Sequence, residues 1–374
     1  MNLITRNKDI LTGYDELESL HTFKNFPIFV GTTNQPKEKD VFIDMSWGIS
    51  KNTGMIQLDK LIPLDILYEN QHISGVGEVW RKHHEEFSKF ILKYQPNSVF
   101  EIGAAHGYLC NEYQKQKKIP WTIIEPNPVY DYACEAKFIE KFFDENFVYD
   151  GEIDTIVHSH VFEHIYEPDA FCGLLSKFLD DGKKLIFSIP NMKVMLENKY
   201  TNCLGFEHTY FLLEEYVQYL LTKHKFKLLE KQYFKQDHSI FYAFEKDSFV
   251  KDTQCVNLYS QNKKIYEDYI NYHLDLVSDL NDKMKEHGDV FIFGAHIFTQ
   301  ALLSFGLNSD KIIKILDNDT KKQKSRLYGS DLFVESPKIL SQYKNPVVIL
   351  KAGAYTEEIK KDIVENINSQ VIFL

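Results

Sequence analysis

EIGAAHGYL, residues 101–109, is a glycine loop that directly follows the short apolar run SVF. Loops of this kind hold nucleotide-derived cofactors in two large enzyme classes. A dinucleotide loop needs G-x-G-x-x-G, so that backbone can approach a pyrophosphate at a helix N-terminus. Here the glycines are Gly103 and Gly107, and Tyr108 stands where the third glycine would be. The spacing therefore favours S-adenosylmethionine (SAM), which has no pyrophosphate.

Further cofactor candidates follow the loop in the order that a SAM site needs. Glu125, in WTIIEPNP, lies 24 residues after Glu101 and closes the next apolar run, where an acid can bind ribose hydroxyls. Read alone, Glu125 is equally well a solvent-facing strand end. The segment KFFDENF offers a ring beside the adenine and an acceptor for its amino group. The predicted cofactor-binding residues from these patterns are Glu101, Gly103, Ala105, Gly107, Glu125, Phe143 and Asp144.

Strand and helix patterns alternate through the middle of the chain, which is typical of a parallel sheet with helices on both faces. Four buried strands are expected, at residues 98–102, 121–124, 153–158 and 184–189. The predicted fold class is α/β, with a Rossmann-like central domain. We expect a small β-containing N-terminal module, a SAM-binding domain, and a connecting helix with a C-terminal Rossmann-like unit, over residues 1–75, 76–246 and 247–374.

Composition narrows the functional classes. The chain has 374 residues and a net charge of -11, and no stretch concentrates Lys and Arg. A nucleic-acid substrate is therefore not expected, because its phosphates need a basic face. The first residues lack the apolar segment of a signal peptide, and no run has the length of a membrane span. These features predict a cytoplasmic protein, and they leave its oligomeric state open.

The five cysteines are isolated from one another in the sequence, which is typical of a cytoplasmic protein with reduced thiols. No pair of them has the spacing of metal ligands. No metal site is predicted.

The chain as a whole resembles the three-domain nucleotide-sugar C-methyltransferases. DTIVHSHVFEHIYEPDAF, residues 154–171, resembles a motif of class I methyltransferases, and GFEHTYF resembles the active-site segment of the sugar family. TGMIQL, HISGVGEVWRKH, HSIFYAFEK and FIFGAHIFTQALL with LDNDTKKQ resemble further parts of that family in order. The resemblance implies a SAM domain, an N-terminal zinc module and a C-terminal domain that forms a wall of the acceptor site. It also implies that His160 faces the methionine end of the cofactor.

Three departures from that family affect the expectations. The first cysteine is Cys110, so the N-terminal module cannot form a thiolate zinc site and is expected to fold without the metal. The family's active-site segment reads Tyr-His-Glu-His, whereas this chain has Gly205 and Phe206 before the retained Glu and His. A family tyrosine is replaced by His72. These changes lie where the sugar is expected.

The candidate catalytic residues are His208, Glu207, His164 and His160. Methyl transfer from SAM is an in-line displacement, in which the protein aligns the acceptor and removes its proton. His208 is the first candidate for the base, and Glu207 is expected to orient it. Structural roles stay open for His164, as a helix cap, and for His208. The exposed loop DTKKQK could attract a phosphate, although a solvated charged loop is the simpler explanation.

These patterns predict a SAM-dependent O-methyltransferase that acts on a hydroxyl of a nucleotide-activated sugar, such as a heptose or deoxysugar, for a bacterial surface (capsular) polysaccharide. The loss of two active-site residues favours oxygen over carbon as the acceptor atom. The alternatives are C-methylation of a nucleotide-linked keto-deoxysugar and an inactive methyltransferase-like scaffold.

Overall fold

The computed structural model describes residues 1–15, 17–68, 77–104, 106–128, 134–351 and 356–374. Ala105 and His72, both singled out from the sequence, lie outside the described residues.

The N-terminal region is built mainly from an antiparallel sheet of three strands. Its strands and helices are β1 (Ile4–Thr5), β2 (Leu17–Pro27), β3 (Thr32–Thr33), β4 (Phe42–Ser50), β5 (Ile56–Leu58), β6 (Lys60–Leu61), α1 (Leu64–Leu67) and α2 (Glu78–Leu92). The sheet order is β2-β4-β5. Phe23, Met45 and Trp47, at most 1% exposed, belong to a hydrophobic cluster that continues into the rest of the molecule. The N-terminal region therefore shares its core with the units that follow it.

A seven-stranded mixed sheet forms the centre of the molecule. Its elements are β7 (Val99–Ile102), α3 (Tyr108–Gln114), β8 (Trp121–Ile124), β9 (Lys137–Ile139), β10 (Thr155–Ser159), α4 (Pro168–Phe178), β11 (Lys184–Pro190), α5 (Met192–Glu197), α6 (Glu214–Lys223), β12 (Phe226–Phe234), α7 (Lys235–His238) and β13 (Ser239–Lys246). The strand order is β12-β13-β11-β10-β7-β8-β9. All neighbours are parallel except β13, which runs antiparallel to β11 and β12. The carboxyl ends of five parallel strands therefore meet at one edge of the sheet.

The C-terminal unit is a second, smaller α/β layer. Its elements are α8 (Tyr259–Lys285), β14 (Val290–Phe293), α9 (Ile297–Ser304), β15 (Ile312–Leu316), β16 (Arg326–Leu327), β17 (Val334–Glu335), β18 (Val347–Ile349), α10 (Thr356–Asn366) and β19 (Ile372–Phe373). A parallel sheet has the order β17-β15-β14-β18-β19. Short 3-10 helices occur at Lys37–Lys39, Phe162–His164, Thr201–Cys203, Ser309–Lys311 and Pro337–Gln342.

The C-terminal unit is joined to the N-terminal region through backbone and charge. β16 pairs with β3 in an antiparallel bridge. Beside it, Arg326 donates from Nη1 and Nη2 to the two carboxylate oxygens of Asp40, at 2.6 and 2.8 Å. The Arg326 and Asp40 side chains are 6% and 0% exposed. Because this ion pair is bidentate and buried, it holds the two units in one orientation.

The predicted fold class is confirmed. The four strands expected from the sequence are β7, β8, β10 and β11, and each lies within two residues of its predicted bounds. They were recognisable because a strand covered on both faces is a continuous apolar run. The division of the chain at residues 75 and 246 stays a prediction. Within the described residues, no helix has both the length and the apolarity needed to cross a membrane.

Candidate active site

The glycine loop turns sharply between β7 and α3. Gly103 and Gly107 both have φ of 70°, a left-handed conformation that favours glycine. A Cβ on Gly103 would lie 2.6 Å from Val161 Cγ2, and one on Gly107 would lie 2.8 Å from Cys134 Sγ. The loop can therefore pack this closely against its neighbours only with glycine at both positions. Gly103 also donates its N–H to the Ile124 carbonyl at 2.9 Å, which fixes the loop to the end of β8.

Tyr108 occupies the position where a dinucleotide loop has its third glycine. Its ring stacks on His84 of α2, with centroids 5.4 Å apart and planes at 18°. In a dinucleotide loop the third glycine lets the helix pack closely against the strand, and a tyrosine does not fit that arrangement. The loop geometry therefore fits SAM better than a dinucleotide.

Glu101 lies inside the sheet. It is 2% exposed, and Trp121 Nε1 donates to its Oε2 at 2.7 Å. Burial raises the pKa of Glu101 to about 8, and the Trp121 hydrogen bond opposes that rise. The structure thus shows Glu101 bracing β7 against β8 beneath the loop, and a cofactor contact for it stays a prediction.

Glu125 directly follows β8, next to the glycine loop. It is half-buried, and its carboxylate accepts the Asn127 N–H at 3.0 Å. Its backbone N–H donates to the Ile139 carbonyl at 3.1 Å, which ties it to the end of β9. An acidic side chain in this position can bind a ribose, as the sequence led us to expect.

The two adenine candidates differ in their surroundings. Phe143 is half-buried, and its ring lies 5.2 Å from that of Phe178 and 5.6 Å from that of Phe147. Asp144 is exposed and accepts the Asn146 N–H at 2.9 Å. The structure therefore gives Phe143 a packing role in an aromatic cluster and leaves Asp144 open to solvent.

His160 comes directly after β10 and has the left-handed φ of 53°. Its backbone N–H donates to the Ser188 carbonyl at 2.9 Å, and its Nε2 lies 2.8 Å from Ser239 Oγ. Its ring meets Trp80 edge-on, with centroids 4.8 Å apart. Burial lowers the pKa of His160 to about 3. A neutral imidazole thus lies at the carboxyl edge of the sheet, directly after β10, and β10 is the neighbour of β7, the strand that leads into the glycine loop.

Trp80 and His238 complete an aromatic group with His160 that sequence reasoning missed. Trp80 also packs edge-on against His238 and His83, at 5.0 and 5.3 Å. His83 is fully buried, and its Nε2 lies 3.1 Å from Ser188 Oγ. These rings come from α2, the residue after β10 and the last residue of α7, so only the folded chain brings them together.

His164 and His208 lie next to each other after the carboxyl ends of the strands. Their ring centroids are 5.0 Å apart, and His164 Nδ1 lies 3.2 Å from the Tyr68 hydroxyl. Burial lowers the pKa of both imidazoles to about 4. Glu207 is half-buried, and burial raises its pKa to about 7. Three of the predicted catalytic residues therefore cluster together, namely His164, Glu207 and His208. The fourth, His160, points toward Trp80.

Glu163 is a further residue of this place that the sequence analysis did not select. Its side chain is 1% exposed, and its Oε1 lies 4.0 Å from His164 Nε2 and 3.1 Å from His160 Nδ1. Burial raises its pKa to about 7. The sequence offered one signal, since Glu163 directly precedes the candidate His164 in HVFEH.

Gly205 and Phe206, which replace two family residues, lie inside the molecule. Phe206 is 2% exposed and packs edge-on against Phe26 of β2, at 6.2 Å. The side chain of Phe206 therefore belongs to the core shared with the N-terminal sheet.

Comparison with known proteins identifies the central part of the chain. Residues 74–245 match a methyltransferase domain family. The matched segment covers just under half of the chain. The match confirms the predicted enzyme class and, with it, SAM as the methyl donor. No curated protein matches the sequence.

Solved structures with a similar fold are methyltransferases of low sequence identity. Magnesium protoporphyrin IX methyltransferase from Synechocystis PCC 6803, with bound S-adenosylhomocysteine, is 14% identical over 48% of this chain and 91% of its own, with a TM-score of 0.37. The N-methyltransferase NodS from Bradyrhizobium japonicum WM9 is 15% identical over 47% of this chain and 100% of its own, with a TM-score of 0.36. A SAM-dependent methyltransferase from Clostridium acetobutylicum ATCC 824 is 12% identical over 44% and 92% of the two chains, with a TM-score of 0.36.

Proposed function

We propose that this methyltransferase transfers the methyl group of SAM to a hydroxyl of a nucleotide-activated sugar, in the cytoplasm, for a bacterial surface polysaccharide. The observation that carries the proposal is the group of His164, His208 and Glu163 at the carboxyl edge of the sheet, next to the glycine loop. SAM supplies an electrophilic methyl group, so the protein has to position and activate the acceptor oxygen.

The residues proposed to hold the cofactor are those expected from the sequence. The glycine loop and Glu125 would bind the methionine and ribose parts, and Asp144 would accept from the adenine amino group. His160 would lie at the methionine end. The backbone at Gly103 and Gly107 fits this role because the loop is folded tightly onto the ends of β7 and β8.

Activation of the hydroxyl is assigned to His208, with His164 and Glu207 beside it. Burial lowers the pKa of both imidazoles, so they are neutral near pH 7 and offer a lone pair to a hydroxyl. The two residues that the sugar C-methyltransferases carry before Glu207 are absent, and Phe206 is buried in the core. This difference favours oxygen over carbon as the acceptor, because enolate chemistry needs more stabilising groups.

A mass-spectrometric screen tests the proposal. The full chain is incubated with SAM and a panel of nucleotide sugars, and we expect one sugar to gain a single methyl group as an ether. Retention of every sugar unchanged, with SAM bound, would favour an inactive scaffold.

The acceptor atom is tested separately, in heavy water with S-adenosylhomocysteine. A keto-sugar that takes up deuterium beside its carbonyl would overturn O-methylation and support the C-methyltransferase. An O-methyltransferase leaves the C–H positions unexchanged.

A further inference from the structure

Three side chains of the candidate active site, those of Glu163, His164 and His208, point possible ligand atoms toward one common position. One carboxylate oxygen of Glu163, one ring nitrogen of His164 and one of His208 all lie within 4.8 Å of one another. An ion bonded at about 2.0–2.2 Å to nitrogen and oxygen holds its ligand atoms within about 4.4 Å of one another, so the three atoms lie close to that range. Two imidazoles and one carboxylate form a ligand set that recurs in zinc and iron enzymes.

The Glu163 carboxylate is the strongest sign that a cation belongs here. Its side chain is 1% exposed, and neither oxygen makes a hydrogen bond with any described residue. His160 Nδ1 comes within 3.1 Å of Oε1, but not in a hydrogen-bonding orientation. A buried carboxylate without partners is costly, and a metal ion bonded to it removes that cost.

The second ring nitrogen of His164 has the partner that a ligating imidazole needs. Nδ1 lies 3.2 Å from the Tyr68 hydroxyl oxygen, so the tautomer with its N–H at Nδ1 donates to Tyr68. That tautomer presents the lone pair of Nε2, the atom 4.0 Å from Glu163 Oε1. Metal-bound histidines are typically oriented by such a hydrogen bond from the other nitrogen.

We propose that Glu163, His164 and His208 bind one divalent transition-metal ion, of the class of Zn²⁺ or Mn²⁺. The two imidazole nitrogens favour Zn²⁺ in particular, and they disfavour Mg²⁺ and Ca²⁺, which prefer oxygen ligands. Three protein ligands leave open positions, as in catalytic metal sites. We assign the open coordination positions to hydroxyl oxygens of the acceptor sugar, and this assignment rests on the proposed function. His208 then acts on the acceptor as a metal ligand, and the proposal differs from the expectation, drawn from the sequence, of a chain without metal.

Ion binding is tested without any sugar or methyl transfer. Full-length protein is stripped with chelator and titrated by calorimetry with Zn²⁺ or Mn²⁺ alone. We expect one ion per chain, with at least 100-fold weaker binding in Glu163→Gln and in His164→Asn. His296→Asn, a histidine of the C-terminal unit, is the matched control and should bind as the wild type does.

Co²⁺ adds a readout of the ligands themselves. Its visible absorption should report imidazole coordination in the wild type and change in His208→Asn, whose folding is checked by circular dichroism. Absence of stoichiometric binding, or binding unchanged in all three cluster variants, would overturn the site.

The two proposals fail separately. Methylation of a sugar that proceeds equally in stripped protein and in the presence of chelator overturns the metal site and leaves the proposed function standing. An ion bound by the three residues, with no sugar methylated, supports the metal site and overturns the proposed function.

Discussion

The buried Glu101 carboxyl should make the stability of this protein depend on pH in a defined window. The folded chain holds the group at 2% exposure, with a pKa raised by burial from 4.5 to about 8. Below pH 4.5 the group is protonated in both states. Between pH 4.5 and 8 only the unfolded chain ionises, so the free energy of unfolding falls as the pH rises.

The magnitude follows from the two pKa values of Glu101. Each pKa unit corresponds to about 1.4 kcal/mol of unfolding free energy. Because the Glu101 pKa is about 3.5 units higher in the folded chain, roughly 5 kcal/mol of unfolding free energy is lost once the pH is above 8. Glu101→Gln keeps an acceptor for Trp121 Nε1 and has no proton to lose. Relative to the wild type, this variant should gain about 2–3 kcal/mol of unfolding free energy between pH 6 and pH 8.

The assay is urea unfolding of both proteins without SAM at pH 6, 7, 8 and 9. Other titrating groups contribute equally to both proteins, so the difference between the curves isolates Glu101. Trp121→Phe is a second test. In the wild type the hydrogen bond from Trp121 lowers the Glu101 pKa, so its loss in the variant should raise that pKa further. In that variant the falling part of the curve should extend above pH 8. Parallel pH curves for the wild type and Glu101→Gln would refute the reasoning.

Three further predictions concern the cofactor, the ion pair between units and the acceptor. Glu125→Ala should weaken SAM binding in calorimetry by about 1.5–3 kcal/mol for each charged hydrogen bond lost. The control Glu140→Ala, at an exposed position, should bind SAM as the wild type does. Equal SAM affinities of Glu125→Ala and the wild type would remove Glu125 from the site. Arg326→Gln should lower the free energy of unfolding by about 3–5 kcal/mol, because Asp40 keeps a buried, unpaired charge, and a loss below 1 kcal/mol in urea unfolding would contradict this. His208→Asn should keep its SAM affinity and lose on the order of 10²-fold or more in turnover, and full activity would exclude His208 from acceptor activation.

Those parts of the fold that depend on local sequence patterns were predictable, namely four strands of the central sheet and the glycine loop. β7, β8, β10 and β11 are apolar on both faces, and so each was readable as a short apolar run. The glycine loop was readable because its left-handed residues require glycine, whatever the rest of the chain does.

The side-chain partners of the site were not predictable in the same way. Phe143 has the right position in the chain for an adenine neighbour, but Phe147 and Phe178 enclose its ring. Trp80 and His238 are 158 residues apart and meet only after β13 has inserted beside β11. Such contacts depend on tertiary packing, which periodicity does not report.

The N-terminal region contacts both segments that carry the paired imidazoles of His164 and His208. Arg6 is 7% exposed and donates from Nη1 to the Thr209 carbonyl at 3.0 Å and from Nη2 to the Tyr166 carbonyl at 2.6 Å. Thr209 directly follows His208, and Tyr166 lies two residues after His164. One guanidinium therefore joins the two segments that carry the paired imidazoles. Because its planar donors fix both carbonyls at once, the distance between His164 and His208 depends on how the N-terminal region is seated.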